Sequence, residues 1–220
     1  IIHYQKAIKI KPDLSDAHQK LGNLFQEKRL LDEAVVAYRL AIKHDPDLFG
    51  YHYNLAQVLL EQEKWEEAVF AYQRATELNP NFPWSYYSLG EVLLKLEKWQ
   101  EAAIAQRRAI ELNPNFFGSY HSLGDALFKL EQWEEAAAAY VHASELNPNF
   151  FWSSYNLGQT LLKLEKWEEA VTTYQRVSEL NPDFPWSHNC LGEAFLKLEK
   201  WEEAVIAYQR VIDGYKRIKS

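Results

Sequence analysis

Along residues 151–182 the apolar positions fall into two helical runs. Tyr155, Leu157, Gly158, Leu161 and Leu162 recur at the three- and four-residue steps that share one helix face, and Trp167, Ala170, Val171, Tyr174, Val177 and Leu180 do so again. Each run is long enough for a helix and the joint between them is short, which predicts an antiparallel helix pair. The Asn181-Pro182 pair ends the second helix, because proline disfavours helical backbone in the residue before it. The pattern then repeats. The stretch LLKLEKWEEA at Leu161–Ala170 returns as LLEQEKWEEA at Leu59–Ala68, LLKLEKWQEA at Leu93–Ala102, LFKLEQWEEA at Leu127–Ala136 and FLKLEKWEEA at Phe195–Ala204. Pro12, Pro46, Pro80, Pro114, Pro148 and Pro182 keep the same beat of 34 residues, with no insertion. A unit this small buries no core alone and must stack on its neighbours. The chain is expected to hold a lone second helix over 1–14, six full units over 15–48, 49–82, 83–116, 117–150, 151–184 and 185–218, and a tail at 219–220.

Small residues mark where the helices meet. Counting within each unit, position 8 is Gly22, Ala56, Gly90, Gly124, Gly158 and Gly192, and position 20 is alanine in every unit. A mid-helix glycine costs about 1 kcal/mol against alanine, so its recurrence calls for a packing reason, and close approach of two helix backbones supplies one. With its period, its Leu-Gly pair and its Tyr, Ala and Pro positions, the chain resembles the tetratricopeptide repeat family over its whole length. The resemblance implies an all-α fold: a right-handed α-solenoid, or superhelix, of antiparallel helix pairs that acts as a scaffold for protein–protein interaction. Two positions depart from the family. Position 15, between the helices and often glycine in the family, is Arg29, Glu63, Glu97, Glu131, Glu165 and Glu199; a left-handed residue there costs roughly 1–2 kcal/mol. Position 4, often tryptophan, is His18, His52, Tyr86, Tyr120, Ser154 and His188, which is expected to loosen packing. The repeat style is similar to that of large cyanobacterial proteins, where such arrays accompany glycosyltransferase or methyltransferase domains.

Composition narrows the picture. The chain has 220 residues, is 47% hydrophobic and 25% charged, and carries a net charge of -7, which argues against binding nucleic acid through general electrostatics. It has no apolar run of about 18 residues for a membrane span and no charged-then-apolar leader. A single cysteine, Cys190, allows no intrachain disulfide, so a cytoplasmic, intracellular setting is expected. The chain lacks methionine and starts inside a repeat, so it is expected to be a fragment of a longer protein, with any catalytic domain outside it. No zinc spacing, phosphate loop or activated nucleophile appears, so no metal, cofactor or enzymatic activity is expected. The histidines follow the repeat rather than a ligand set.

In the family, positions 2, 5, 9, 12 and 13 of the first helix line the concave groove. Carried onto this chain, position 2 gives Trp84, Trp152 and Trp186. Position 5 gives Tyr53, Tyr87, His121 and Tyr155. Position 12 gives Leu94, Phe128 and Leu162, and position 13 gives Lys95, Lys129, Lys163 and Lys197. Contiguous apolar surface marks interaction sites, and Trp and Tyr are enriched at binding hot spots. The three tryptophans have a second reading, in which they pack under the adjacent Phe-Pro or Phe-Phe segment and set the angle between units. Trp65, Trp99, Trp133, Trp167 and Trp201, which open the second helices, are read as core. Three of the lysines follow an acidic residue by one turn, a pairing worth about 0.2–0.5 kcal/mol in helix stability alone; Lys163 follows Gln159 instead. The family's carboxylate clamp for chaperone tails is not matched at positions 5 and 9. Its position-6 asparagine ladder survives only as Asn54 and Asn156. The expectation is a peptide or partner segment lying on the aromatic groove with an acidic group near Lys129–Lys163. Two alternatives stand beside it: the substrate-recognition arm of a larger enzyme, and homo-oligomers formed through the terminal repeat faces.

Overall fold

The computed structural model describes residues 2–182 and 184–218; the tail expected at 219–220 lies outside the described residues. Among these there are thirteen α-helices and no strand. They are α1 (Ile2–Ile10), α2 (Ser15–Glu27), α3 (Leu31–His44), α4 (Phe49–Glu61), α5 (Trp65–Leu78), α6 (Pro83–Lys95), α7 (Trp99–Leu112), α8 (Phe117–Lys129), α9 (Trp133–Leu146), α10 (Phe151–Lys163), α11 (Trp167–Leu180), α12 (Pro185–Lys197) and α13 (Trp201–Ile218). The chain divides into two compact units, Ile1–Pro114 and Asn115–Ser220. In the first, the pairs α2–α3, α4–α5 and α6–α7 stack in order, with α1 against α2 and a further contact between α2 and α4. In the second, α8–α9, α10–α11 and α12–α13 stack likewise, and α10 touches both α8 and α12. The first helices α2 and α4, and α8, α10 and α12, thus meet directly and lie in one layer of their unit, with the second helices in the other. This is the helical-repeat solenoid fold.

The recurring glycine has a sharper role than backbone approach. A Cβ built on Gly158 would fall 2.6 Å from the ring of Tyr174, and one on Gly124 2.5 Å from that of Tyr140. Tyr38, Tyr140, Tyr174 and Tyr208 each lie across the position-8 glycine of their own helix pair. In the second repeat, where position 8 is Ala56, Tyr72 holds the same position, and Tyr38, Tyr72, Tyr140 and Tyr174 are almost wholly buried. The alanines at position 20, from Ala34 to Ala204, are fully buried beside them. The third repeat breaks the rule with Gln106. That side chain is fully buried, donates from Nε2 to the Tyr87 carbonyl at 3.1 Å, and leaves Oε1 without a protein partner.

Every joint within a pair is a Schellman turn. In the second repeat the Lys64 amide donates to the Leu59 carbonyl at 2.9 Å and the Glu63 amide to Leu60 at 3.0 Å, closing the last turn of α4. The residue between is left-handed: φ is 60° at Arg29 and Glu131, and 58° at Glu63, Glu97, Glu165 and Glu199. Glycine is the residue that adopts this conformation without a Cβ clash. The turn therefore keeps its family geometry and carries the strain.

The histidines at position 4 tie the structure rather than loosening it. His18 Nε2 lies 2.9 Å from the Pro12 carbonyl, and His52 Nε2 2.8 Å from that of Pro46, so each ring holds the start of a first helix to the turn before it. The helices α4, α6, α8, α10 and α12 start at Leu48, Phe82, Phe116, Phe150 and Phe184, none of which can cap a helix through its side chain. Three of these phenylalanines instead reach back onto the preceding first helix. Phe82 packs on Phe49 and Tyr53, Phe150 on Phe117 and His121, and Phe184 on Phe151 and Tyr155, with ring centroids 5.0–5.4 Å apart.

Replacing Glu97, Glu131 or Glu165 by glycine removes a cost of roughly 1–2 kcal/mol and adds a chain-entropy cost of roughly 0.5–1 kcal/mol. Each substitution is expected to raise the unfolding free energy by a net of about 0.5–1 kcal/mol, read as a higher urea midpoint, without changing the helical content seen by circular dichroism.

Candidate binding face

The first-helix layer of each compact unit carries the candidate residues at several depths. In the first unit Trp84 is 37% exposed, with its ring 6.3 Å from Tyr87, edge to face. Tyr53 is half-buried between Tyr72 and Phe82. Tyr87 and Leu94 are half-buried and Lys95 is exposed. Burial and the nearby Glu91 push the Tyr87 phenol up to about 12. Asn54 is half-buried at a polar hollow of about 700 Å³, which it lines with Asn23, Gln26 and Gln57. There Gln26 donates to Glu61 at 2.7 Å, and Arg29 pairs with the same carboxylate at 2.6 Å.

In the second unit Trp152 is 42% exposed and Trp186 is 54% exposed. Trp152 combines the two readings open for these tryptophans. One flank packs against Phe151 at 4.7 Å, Tyr155 at 5.9 Å and Phe184 at 5.3 Å, and the remainder stays in solvent. Tyr155 is half-buried; its hydroxyl accepts from Gln159 Nε2 at 3.2 Å and sits 3.9 Å from the Cys190 sulfur. Burial pushes the pKa of both the Tyr155 phenol and the Cys190 thiol up, so at neutral pH both keep their protons. Phe128 and Leu162 are half-buried, and Lys129, Lys163 and Lys197 are exposed. The Lys197 ammonium lies 5.7 Å over the ring of Trp167.

His121 is drawn inward. Its ring sits 5.8 Å from Tyr140 and 5.0 Å from Phe150, Nδ1 is 3.1 Å from Ser153 Oγ, and Nε2 is 3.6 Å from the Asp125 carboxylate. Asp125 is the hub of a network that the sequence reading missed. It accepts from the Tyr140 hydroxyl at 2.7 Å and from Asn156 Nδ2 at 3.0 Å. Asn156 thereby joins neighbouring first helices. The recurrent spacing of positions 6, 9 and 24 was the available signal for it.

The tryptophans expected in the core lie nearer the surface: Trp65, Trp99, Trp133 and Trp167 are half-buried, and Trp201 is 62% exposed. They open the second helices at the edge of the first-helix layer, where Trp133 packs on Phe128 at 4.9 Å. Among the described residues no cluster of three or more His, Cys, Asp or Glu side chains has metal-binding geometry, and no helix is long and apolar enough to cross a membrane.

Family models described as tetratricopeptide or TPR repeat match residues 15–48, 56–97, 83–116, 105–138, 124–165, 158–199 and 191–216. No curated protein matches the chain. Among solved structures, YrrB, described as a TPR protein with an unusual peptide-binding site, is 25% identical with a TM-score of 0.77, over 84% of this chain and 95% of its own. MamA from Desulfovibrio magneticus RS-1 is 22% identical with a TM-score of 0.74, over 78% and 97% of the two chains. PilF of Pseudomonas aeruginosa is 18% identical with a TM-score of 0.71, over 93% and 96%. The last two likenesses speak for the fold alone.

Burial lowers the pKa of His121, against the opposing pull of Asp125, and burial with the nearby Arg210 lowers that of His188. A histidine whose pKa is lowered by folding takes up its proton more readily in the unfolded chain. Its contribution is complete above the ordinary value of about 6.5 and is lost as pH falls below it. Urea unfolding at pH 7.5 and 5.5 is expected to show lower stability at pH 5.5, and a His121→Gln, His188→Gln double variant should show a flatter dependence.

Proposed function

Because the chain belongs to the tetratricopeptide repeat family, we propose that it is a non-catalytic scaffold that holds a peptide or partner segment on its first-helix face. The observation that carries this reading is the pairing of a part-exposed tryptophan with a half-buried tyrosine one turn later. Trp84 with Tyr87 forms such a ledge in the first compact unit, and Trp152 with Tyr155 in the second. A tryptophan fixed on one flank and wet on the other loses little side-chain entropy on binding and offers a large apolar area, which is the chemistry of a hot spot. The description of YrrB as a peptide binder supports the same reading by likeness.

Around the second ledge, Leu162 extends the apolar surface and Lys129 and Lys163 add positive charge. We read the occupant as a segment with aromatic or aliphatic anchors and an acidic residue set to meet those lysines. In the first unit, Leu94 and Lys95 would serve beside Trp84, and the amides around Asn54 would accept peptide backbone. Trp186 and Lys197 continue the second face.

A second reading, association through the terminal repeat, has one observation in its favour. Val205 on α13 is 68% exposed, whereas Val35, Val69 and Val171 at the same repeat position are 6–8% exposed. A Val205→Glu variant separates the two readings, because it should abolish such association and leave the peptide face intact.

Peptides selected from a displayed random library on the whole chain are expected to combine aromatic or aliphatic anchors with acidic residues. Trp152→Ala and Tyr155→Ala should each raise the Kd of such a peptide about tenfold or more, measured by fluorescence anisotropy, and higher salt should weaken binding. Unchanged affinity in both variants would sink the reading.

A further inference from the structure

The second helices of the first compact unit carry an apolar stripe that neither the core nor the first-helix face uses. Position 22 is Val36 on α3, Phe70 on α5 and Ile104 on α7, exposed by 58%, 73% and 66%. Core packing is supplied by their neighbours. In α5, for example, Ala68, Ala71, Tyr72 and Ala75 are buried and Phe70 points the other way. Single exposed apolar side chains are ordinary; three at the same position of three successive second helices make a stripe.

The stripe has charged borders of opposite sign. One helical turn before it lie Asp32, Glu33, Glu66, Glu67 and Glu101, and one turn after it Arg39, Arg74 and Arg108. Arg39 pairs with Glu67 at 2.7 Å, Arg74 with Glu77 at 2.9 Å, and Arg108 with Glu111 at 2.7 Å. Arg74 also reaches Asp47 at 3.5 Å; the arginine side chains are 41–57% exposed and the carboxylates 50–79%, and pairs this open to solvent exchange partners at little cost.

We propose that this stripe is a self-association surface on which a second copy of the chain docks with its own stripe, its second helices antiparallel to those of the first. The charge pattern selects that occupant and that arrangement. A two-fold axis along the stripe sets Phe70 on Phe70 of the second copy and turns the acidic border of each copy onto the basic border of the other. A two-fold axis along the helices would set acid on acid and base on base, which like-charge repulsion disfavours. An anionic lipid surface is a poorer match, since the whole acidic border would face it. With three apolar side chains and two charged rims the contact is at the small end of specific interfaces, so the dimer is a concentration-dependent one.

Sedimentation velocity of the full chain over roughly 1–300 µM tests this, a range that brackets a micromolar Kd. The expected result is a monomer–dimer equilibrium whose Kd rises at least tenfold in Phe70→Glu, with the thermal unfolding curve unchanged because Phe70 is exposed. A Glu66→Lys, Glu67→Lys variant and an Arg74→Glu, Arg108→Glu variant should each self-associate less than the parent and should bind one another when mixed. A chain monomeric throughout the range overturns the proposal, as does a dimer that survives Phe70→Glu or is lost only in Val205→Glu. Failure of the two charge variants to pair overturns the antiparallel geometry. Peptide binding at Trp152 and Tyr155 is expected to be the same in Phe70→Glu, so the fate of either reading is scored without the other.

Discussion

A tyrosine ring laid across a glycine is the contact on which most of the repeats depend. The glycine lets the ring lie between the two helices of a pair, and the ring in turn delivers its hydroxyl to the first-helix layer. Tyr38 donates there to Asn23 at 2.7 Å and Tyr140 to Asp125 at 2.7 Å. One side chain thus sets both the spacing of the pair and the polar groups beneath the candidate binding face. Where it is replaced by Gln106, the amide turns to the Tyr87 backbone and keeps an unpaired oxygen in the interior, and the Tyr174 hydroxyl is likewise buried without a hydrogen bond. An unsatisfied buried group of this kind costs about 1–3 kcal/mol.

The fold was open to reading from the chain because two periodicities agree. Apolar residues at helical steps give the helices, and the strict repeat of Leu-Gly, Tyr, Ala and Pro gives their pairing. What the sequence could not convey was depth. His121 and Tyr155 occupy the same position and were expected on the same surface. Whether such a ring is a handle or a spacer depends on the phenylalanine that opens the next repeat, about thirty residues on. Phe150 and Phe184 cover their inner edges. The same limit applies to the tryptophans. Position in the repeat suggests core for Trp167 and the groove for Trp152, whereas the three-dimensional neighbours leave the first half-buried under Lys197 and the second 42% exposed. The Asp125 network is not legible in the sequence because Asp125, Tyr140 and Asn156 sit on three helices and their recurrent spacing alone does not bring their polar atoms together.

The two helix layers divide the work. First helices gather the part-exposed aromatics, amides and lysines, and second helices gather the acidic starts and the arginines that follow. Nothing in the tyrosine–glycine contact constrains positions 2, 13 or 22, so these can vary from repeat to repeat while the scaffold stays constant. The runs Trp84, Gly118, Trp152 at position 2 and Ile104, Ala138, Thr172 at position 22 show that freedom in use.

The phenylalanines that open the first helices have a consequence for how the chain comes apart. A helix with no side-chain cap, joined to its partner by a strained left-handed turn, has little stability of its own. Most of what holds it comes from the neighbour whose rings it touches. In a linear array, weak units with strong nearest-neighbour coupling behave as a one-dimensional Ising chain with a long correlation length. Within a compact unit such repeats melt together rather than peeling away one at a time. A repeat cut out on its own would have its sequence intact and its fold absent.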